Sequence, residues 1–184
     1  MNKDYRIGII GLGYVGLPLA IEFAKKYPVV GFDIDEFRVS NLKNFNDFTL
    51  EVNSFQLEKV TVSCLAALKN DFGFLPSNNK DDLQNCNFYI VTVPTPVDKF
   101  NHPVLSPLIK ASKTIGKVLS KNNYVVYEST VYPGATEEDC LPVLEKELDN
   151  GAEWRYYGND DNRGTDPSRC GMPINNLLPK SSMG

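Results

Sequence analysis

Three glycines, Gly11, Gly13 and Gly16, stand in the spacing Gly-x-Gly-x-x-Gly within Gly11-Leu12-Gly13-Tyr14-Val15-Gly16. Between a strand and a helix, that spacing suits the holding of a pyrophosphate. The first glycine permits the turn, the second lets the backbone approach the phosphates, and the third lets the helix pack closely on the strand. The helix N-terminus, entered at Tyr14 and Val15, then faces the anion with open N–H groups and a partial positive charge. About 20 residues further on, Asp33 ends the apolar run Val29-Val30-Gly31-Phe32, where a carboxylate accepts hydrogen bonds from the adenosine ribose and its charge disfavours a 2′-phosphate. NAD is therefore expected over NADP. The competing role for such an acid is to cap the next helix, which runs through Glu36, Phe37 and Arg38; that role goes mainly to Asp35 and the ribose role to Asp33. Arg38 is a candidate for the adenosine side of the cofactor, a solvated helix arginine being its commoner alternative.

The elements that must position these residues follow from apolar patterning. A strand over Tyr5 to Ile10 and a helix from near Tyr14 flank the glycines, and a helix is expected from about Ser54 to Lys69, although the β-branched Thr61 and Val62 also suit a short strand. Phe72 to Leu75, closed by Pro76, suits a third strand. Phe88 to Val93, ending at Pro94, reads as a central strand covered on both faces. Ser106 as N-cap and Pro107 at N1 open a helix through Leu108, Ala111, Ile115 and Leu119. Tyr124 to Tyr127 is the next strand, and Gly134 and Thr136 open a last helix carrying Leu141, Val143, Leu144 and Leu148. Pro18 and Pro142 are expected to kink or interrupt their helices. Alternating strands and helices imply an α/β fold, a Rossmann-like doubly wound parallel sheet in a single domain over 1–149. Ligands of such sheets lie at the carboxyl ends of the strands. That rule selects Gly11 to Gly16, Asp33, the turn Val93-Pro94-Thr95 with Pro96, and Glu128 to Thr130. From 150 to 184 the chain is polar and glycine-rich and is expected to be a poorly ordered tail, with docking of Trp154, Tyr156 and Tyr157 on the sheet as the alternative.

Composition narrows the partners. A chain of 184 residues, 42% hydrophobic, suffices for one full domain. A net charge of −4 and a pI near 5.1 provide no basic stripe, so neither nucleic acid nor an anionic membrane is expected as a partner. Cys64, Cys86, Cys140 and Cys170 form no CxxC pair and His102 is the only histidine, so no metal site or disulfide framework is expected and the thiols suit a cytoplasmic protein. Cys64, Cys86 and Cys140 read as packing residues. The apolar stretch from Ile7 to Ala20 imitates a signal peptide, but its glycines and strand-turn-helix pattern argue against one.

Four motifs in order resemble the UDP-glucose/GDP-mannose dehydrogenase family: Gly-Leu-Gly-Tyr-Val-Gly-Leu-Pro-Leu-Ala at 11–20, Gly-Phe-Asp-Ile-Asp at 31–35, Val-Thr-Val-Pro-Thr-Pro at 91–96, and Glu-Ser-Thr-Val-Tyr-Pro-Gly-Ala-Thr-Glu-Glu at 128–138. Pro96-Val97-Asp98 and Pro103 to Leu108 look most like the branch that oxidises UDP-N-acetylhexosamines to uronic acids for surface polysaccharides. The resemblance implies oxidation of a C6 alcohol by two hydride transfers to NAD+, through a thiohemiacetal and a thioester on a cysteine. It places Val93, Pro94 and Thr95 beside the cofactor and gives Thr130 the holding of a catalytic water or a developing oxyanion. Without it, Ser129 and Thr130 read as groups that satisfy the backbone of a turn. The family's later lysine, asparagine and nucleophilic cysteine have no match in 150–184, and Cys170 is not assigned that role. The chain is therefore expected to be truncated, to lack the substrate half, and to bind NAD without turnover. A UDP-sugar partner and a homodimer are expected only of the full-length protein. The alternatives are a non-catalytic nucleotide-binding module and a dehydrogenase domain of the 6-phosphogluconate or hydroxyacid type.

Overall fold

The computed structural model describes residues 4–68, 72–132 and 134–147. Five strands, β1 (Ile7–Ile10), β2 (Pro28–Phe32), β3 (Gly73–Ser77), β4 (Phe88–Val91) and β5 (Tyr124–Tyr127), form one parallel sheet in the order β3-β2-β1-β4-β5. The chain winds outward from β1 to β3 and then returns to place β4 on the other side of β1. This reversal is a topological switch point, where a crevice opens beyond the strand ends.

Period-2 alternation sends successive strand residues to opposite faces. Ile7 and Ile9 of β1, Phe88 and Ile90 of β4, and Phe74 of β3 share one core with Leu17, Ala20, Ile21 and Phe23 of helix α1 (Gly16–Ala24), Leu42 of α2 (Glu36–Lys43) and Leu57 of α3 (Ser54–Val60). Ile10, Val30, Tyr89, Val91 and Val125 point the other way, onto Leu108, Ala111 and Ile115 of α4 (Ser106–Gly116) and Leu144 of α5 (Leu141–Glu147). Both faces of the central strands are covered, so β1, β2 and β4 are near-continuous apolar runs. The segment resembling a signal peptide is β1, the glycine turn and the start of α1. No helix among the described residues is long and apolar enough to cross a membrane.

Several local expectations need correction. The helix foreseen over 54–69 stops at Val60: Thr61 bridges Phe74 in parallel, the Val62 amide donates to the Phe74 carbonyl at 2.8 Å, and Leu65–Leu68 is a separate 3₁₀ turn. The β-branched pair follows the sheet edge. Pro18 does not break α1: the helix runs through it from Gly16 to Ala24, and its place in the first turn is one where proline is tolerated. Pro142 is accommodated by a π-helical turn over Thr136–Cys140 that precedes α5. Ser106 is the first residue of α4 and not its N-cap, a place taken by Leu105 without a side-chain bond. Pro76 lies within β3, as an edge strand allows. Cys86 and Cys140 are buried as expected, whereas Cys64 is exposed. The readings that concern Leu148, Cys170 and the 150–184 tail lie outside the described residues.

Candidate cofactor site

The glycine turn joins β1 to α1 at the switch point. The Gly11 amide donates to the Phe32 carbonyl at 2.8 Å. Its φ of +98° strains any residue with a side chain, and an added Cβ would crowd the Val93 amide nitrogen at 3.1 Å. At Gly16 a Cβ would lie 1.9 Å from the Gly11 carbonyl oxygen, so the helix rests directly on the turn. Gly13 is the opposite case. A Cβ there would meet no atom within 4 Å, because the backbone opens onto a cleft. The Leu17 amide donates to Gly13, so the amides of Tyr14, Val15 and Gly16 precede the helical ladder, and Val15 at the N-cap provides no side-chain bond to them. This is a cradle for an anion: open amides, a positive helix end, and room at the one glycine whose backbone must come close.

The cleft has a volume of about 690 Å³ and runs over the ends of β1, β2, β4 and β5. Every residue singled out from the sequence for the cofactor, except the buried Gly16 beneath the turn, lines it: Gly11, Gly13, Tyr14, Val15, Asp33, Arg38, Val93, Pro94, Thr95 and Thr130. Its far wall is stitched by hydroxyls. Ser129 donates to the Val93 carbonyl at 2.6 Å and Thr95 donates to the Thr130 carbonyl at 2.5 Å, tying the turn after β4 to the turn after β5. Ser129 thus satisfies the backbone, as its turn-residue reading foresees, while Thr130 engages Thr95 through its main chain and stands exposed on the wall. Glu128 is at the rim, and partial desolvation there raises its carboxyl above the ordinary value.

Thr92 carries no sequence signal for a role at the site. Its buried hydroxyl lies 2.7 Å from the Gly11 carbonyl oxygen and donates to it, locking the glycine turn to β4. Within an apolar strand run a threonine reads as a β-former, and only the pairing of β4 beside β1 gives it this partner.

On the adenosine side, Asp33 accepts from the Leu12 amide at 2.8 Å through Oδ2 and from the Asp35 amide at 3.0 Å through Oδ1. A carboxylate offers about four acceptor sites, so both oxygens keep capacity for ribose hydroxyls. Asp35 caps α2, accepting from the Phe37 and Arg38 amides. Arg38 is not solvated. It is buried, with Nε donating to the Leu12 carbonyl at 2.8 Å and one terminal nitrogen 2.6 Å from Asp47. The Asp47 side chain is fully enclosed. Burial pushes its carboxyl up, but hydrogen bonds from Thr49, Arg38 and the Val52 and Thr49 amides prevail and hold it at about 2. Neither Asp47 nor the loop it organises carries a motif. Among the described residues no group of three His, Cys, Asp or Glu side chains could hold a metal ion.

A dinucleotide fits these groups: open amides for the pyrophosphate, a carboxylate for the ribose, and hydroxyl-tied turns toward the far end. The comparisons agree. Residues 5–159 match the UDP-glucose/GDP-mannose dehydrogenase family, NAD binding domain. The chain belongs to this family. Over 144 residues it is 56% identical to UDP-N-acetyl-D-glucosamine 6-dehydrogenase of Pseudomonas aeruginosa, covering 78% of this chain and 32% of that protein. Protein CapL of Staphylococcus aureus is 49% identical over 79% of this chain and 31% of its own length. The structure of UDP-D-ManNAc dehydrogenase from Pyrococcus horikoshii superposes with a TM-score of 0.67 at 33% identity, covering 78% of this chain and 32% of that one. The chain thus spans about a third of these relatives and is an NAD-binding domain of the family.

Proposed function

We propose that this chain serves as the cofactor half of a cytoplasmic nucleotide-sugar 6-dehydrogenase that oxidises the C6 alcohol of a UDP-N-acetylhexosamine to the uronic acid, for surface polysaccharide synthesis. The observation that carries the cofactor role is the glycine turn, open to the cleft at Gly13 and closed at Gly11 and Gly16. Support for the sugar comes from the 56% identity to a UDP-N-acetyl-D-glucosamine 6-dehydrogenase. Bound NAD+ supplies a hydride acceptor. Around it, the amides of Tyr14, Val15 and Gly16 hold the pyrophosphate, Asp33 takes the ribose hydroxyls, and Val93, Pro94 and Thr95 form the wall at the far end of the cleft. Thr130 donates a hydrogen bond to a developing oxyanion or to the attacking water; a hydroxyl can do so without titrating. Holding C6 against the cofactor requires groups outside the described residues, and homodimers are proposed only for the full-length protein. The test is NADH formation from UDP-N-acetylglucosamine by the 184-residue chain, alone and with the remaining C-terminal part of the Pseudomonas relative. Binding of NAD with turnover only in the mixture is expected. Robust turnover by the chain alone would refute the division of labour, and a mixture that binds NAD without turnover would refute the pairing with a UDP-N-acetylhexosamine-oxidising half.

A further inference from the structure

A guanidinium beside the end of the second strand is the group by which dinucleotide-binding folds accommodate a 2′-phosphate. Arg38 is in that position. Its Nε bonds the Leu12 carbonyl, and the amide of the same residue bonds Asp33, so the cation sits one residue from the ribose-binding carboxylate. Yet it is unavailable. Asp47 lies 2.6 Å from one of its terminal nitrogens, Thr49 Oγ1 lies 3.4 Å from the other, and the Phe48 ring covers its face 4.5 Å away. Asp47 cannot swing aside, because it also accepts from the amides of Thr49, Glu51 and Val52. Among the described residues the only other cation lining the cleft is Lys110, on α4 across the β1–β4 seam.

We infer that Asp47 is a specificity-determining residue: by holding Arg38 in a buried ion pair it denies the cofactor cleft the cation that NADP would need, and so reinforces the preference for NAD set by Asp33. The inference rests on the cofactor role proposed above. Asp47 does not line the cleft and acts through Arg38. Its effect is therefore a change in the ratio of two affinities, which a loss of folding stability alone would not produce.

The experiment measures NAD and NADP binding by calorimetry for the wild-type chain, Asp33→Asn and Asp33→Asn/Asp47→Asn, with folding checked by circular dichroism. Removing the Asp33 charge is expected to weaken NAD while leaving NADP no tighter than NAD, because Arg38 stays paired. In the double variant the released guanidinium is expected to shift the ratio toward NADP by about tenfold or more, the scale of one charge-assisted hydrogen bond. An unchanged ratio would overturn the inference. So would tighter binding of NADP than NAD by Asp33→Asn alone, which decides the matter even if the double variant does not fold. A wild-type chain that bound neither dinucleotide would overturn the cofactor role and this inference together.

Discussion

Replacing Gly13 by alanine separates binding from folding more cleanly than any other change in the glycine turn. In the protein as described, the added Cβ meets nothing within 4 Å, so the fold should be unchanged or slightly firmer, by up to about 1 kcal/mol, as for other unstrained Gly→Ala changes. The methyl group projects into the space that the pyrophosphate must occupy. Overpacking of that kind costs roughly 1–3 kcal/mol, and near the upper end the dissociation constant rises about a hundredfold. At a concentration a hundred times the wild-type Kd, NAD stabilises the wild-type chain by about 2.7 kcal/mol, which for a domain of this size raises Tm by roughly 5 to 10 °C. The variant at the same concentration would sit near its own Kd and gain only about 0.4 kcal/mol, or roughly 1 °C. Thermal unfolding with and without NAD reads both quantities from one preparation. A Gly13→Ala variant with the full NAD shift would refute the placement of the pyrophosphate, and one with a lowered ligand-free Tm would refute the openness of the turn.

Gly16→Ala should instead fail as a folded protein or lose several degrees of Tm, since its Cβ would lie 1.9 Å from a backbone oxygen. Asp33→Ala should weaken NAD by roughly 1.5 to 3 kcal/mol in calorimetry if the carboxylate takes both ribose hydroxyls; unchanged affinity would leave it a purely structural acceptor for Leu12 and Asp35. Asp47, held at about 2 against an ordinary 3.8, contributes stability that is present above pH 4 and lost as pH falls through 2. That contribution is on the order of 2 kcal/mol, and denaturant titrations at pH 6 and pH 2 should show a steeper acid loss in the wild type than in Asp47→Asn. Cys64 is exposed and its thiol is held below the ordinary value by the Ala67 and Ala66 amides, whereas burial pushes Cys86 up to about 12 and also raises Cys140. Brief treatment with a thiol reagent at pH 7 followed by peptide mapping should label Cys64 ahead of both; equal labelling would contradict their burial.

What could be read in the sequence was local. The glycine turn and Asp33 are separated by one strand and one helix, so their relation survives without knowledge of the rest of the chain. The strands were legible because burial on both faces leaves near-continuous apolar runs. What escaped depends on partners that the topology brings in. Thr92 bonds Gly11 only because β4 returns to lie beside β1. For Arg38 the sequence offers only the adenosine side of the cofactor or solvent, because its counterion sits in a loop with no periodicity, and a buried ion pair leaves no pattern in either segment. The end of the helix at Val60 depends on the same kind of partner: the β-branched Thr61 and Val62 leave helix or short strand open in the sequence, and pairing with Phe74 decides for the strand. Local propensity leaves such points open and tertiary pairing settles them.

The return of β4 to the side of β1 also bears on the order of events in folding. Strands β1 to β3 pair through neighbours in sequence, but Ile7 meets Phe88 only after a closure of about eighty residues, and such non-local contacts form late because chain entropy opposes them. The cleft spans that seam: its near wall is Gly11 to Val15 and Asp33, and its far wall is Val93 to Thr95 with Glu128 to Thr130. A dinucleotide therefore has a complete site only after the second half of the sheet has docked. NAD should then slow the unfolding rate while leaving the refolding rate nearly unchanged, as for any interaction absent from the transition state. In the cell such a ligand acts as a kinetic clasp, lengthening the life of the assembled domain without hastening its birth.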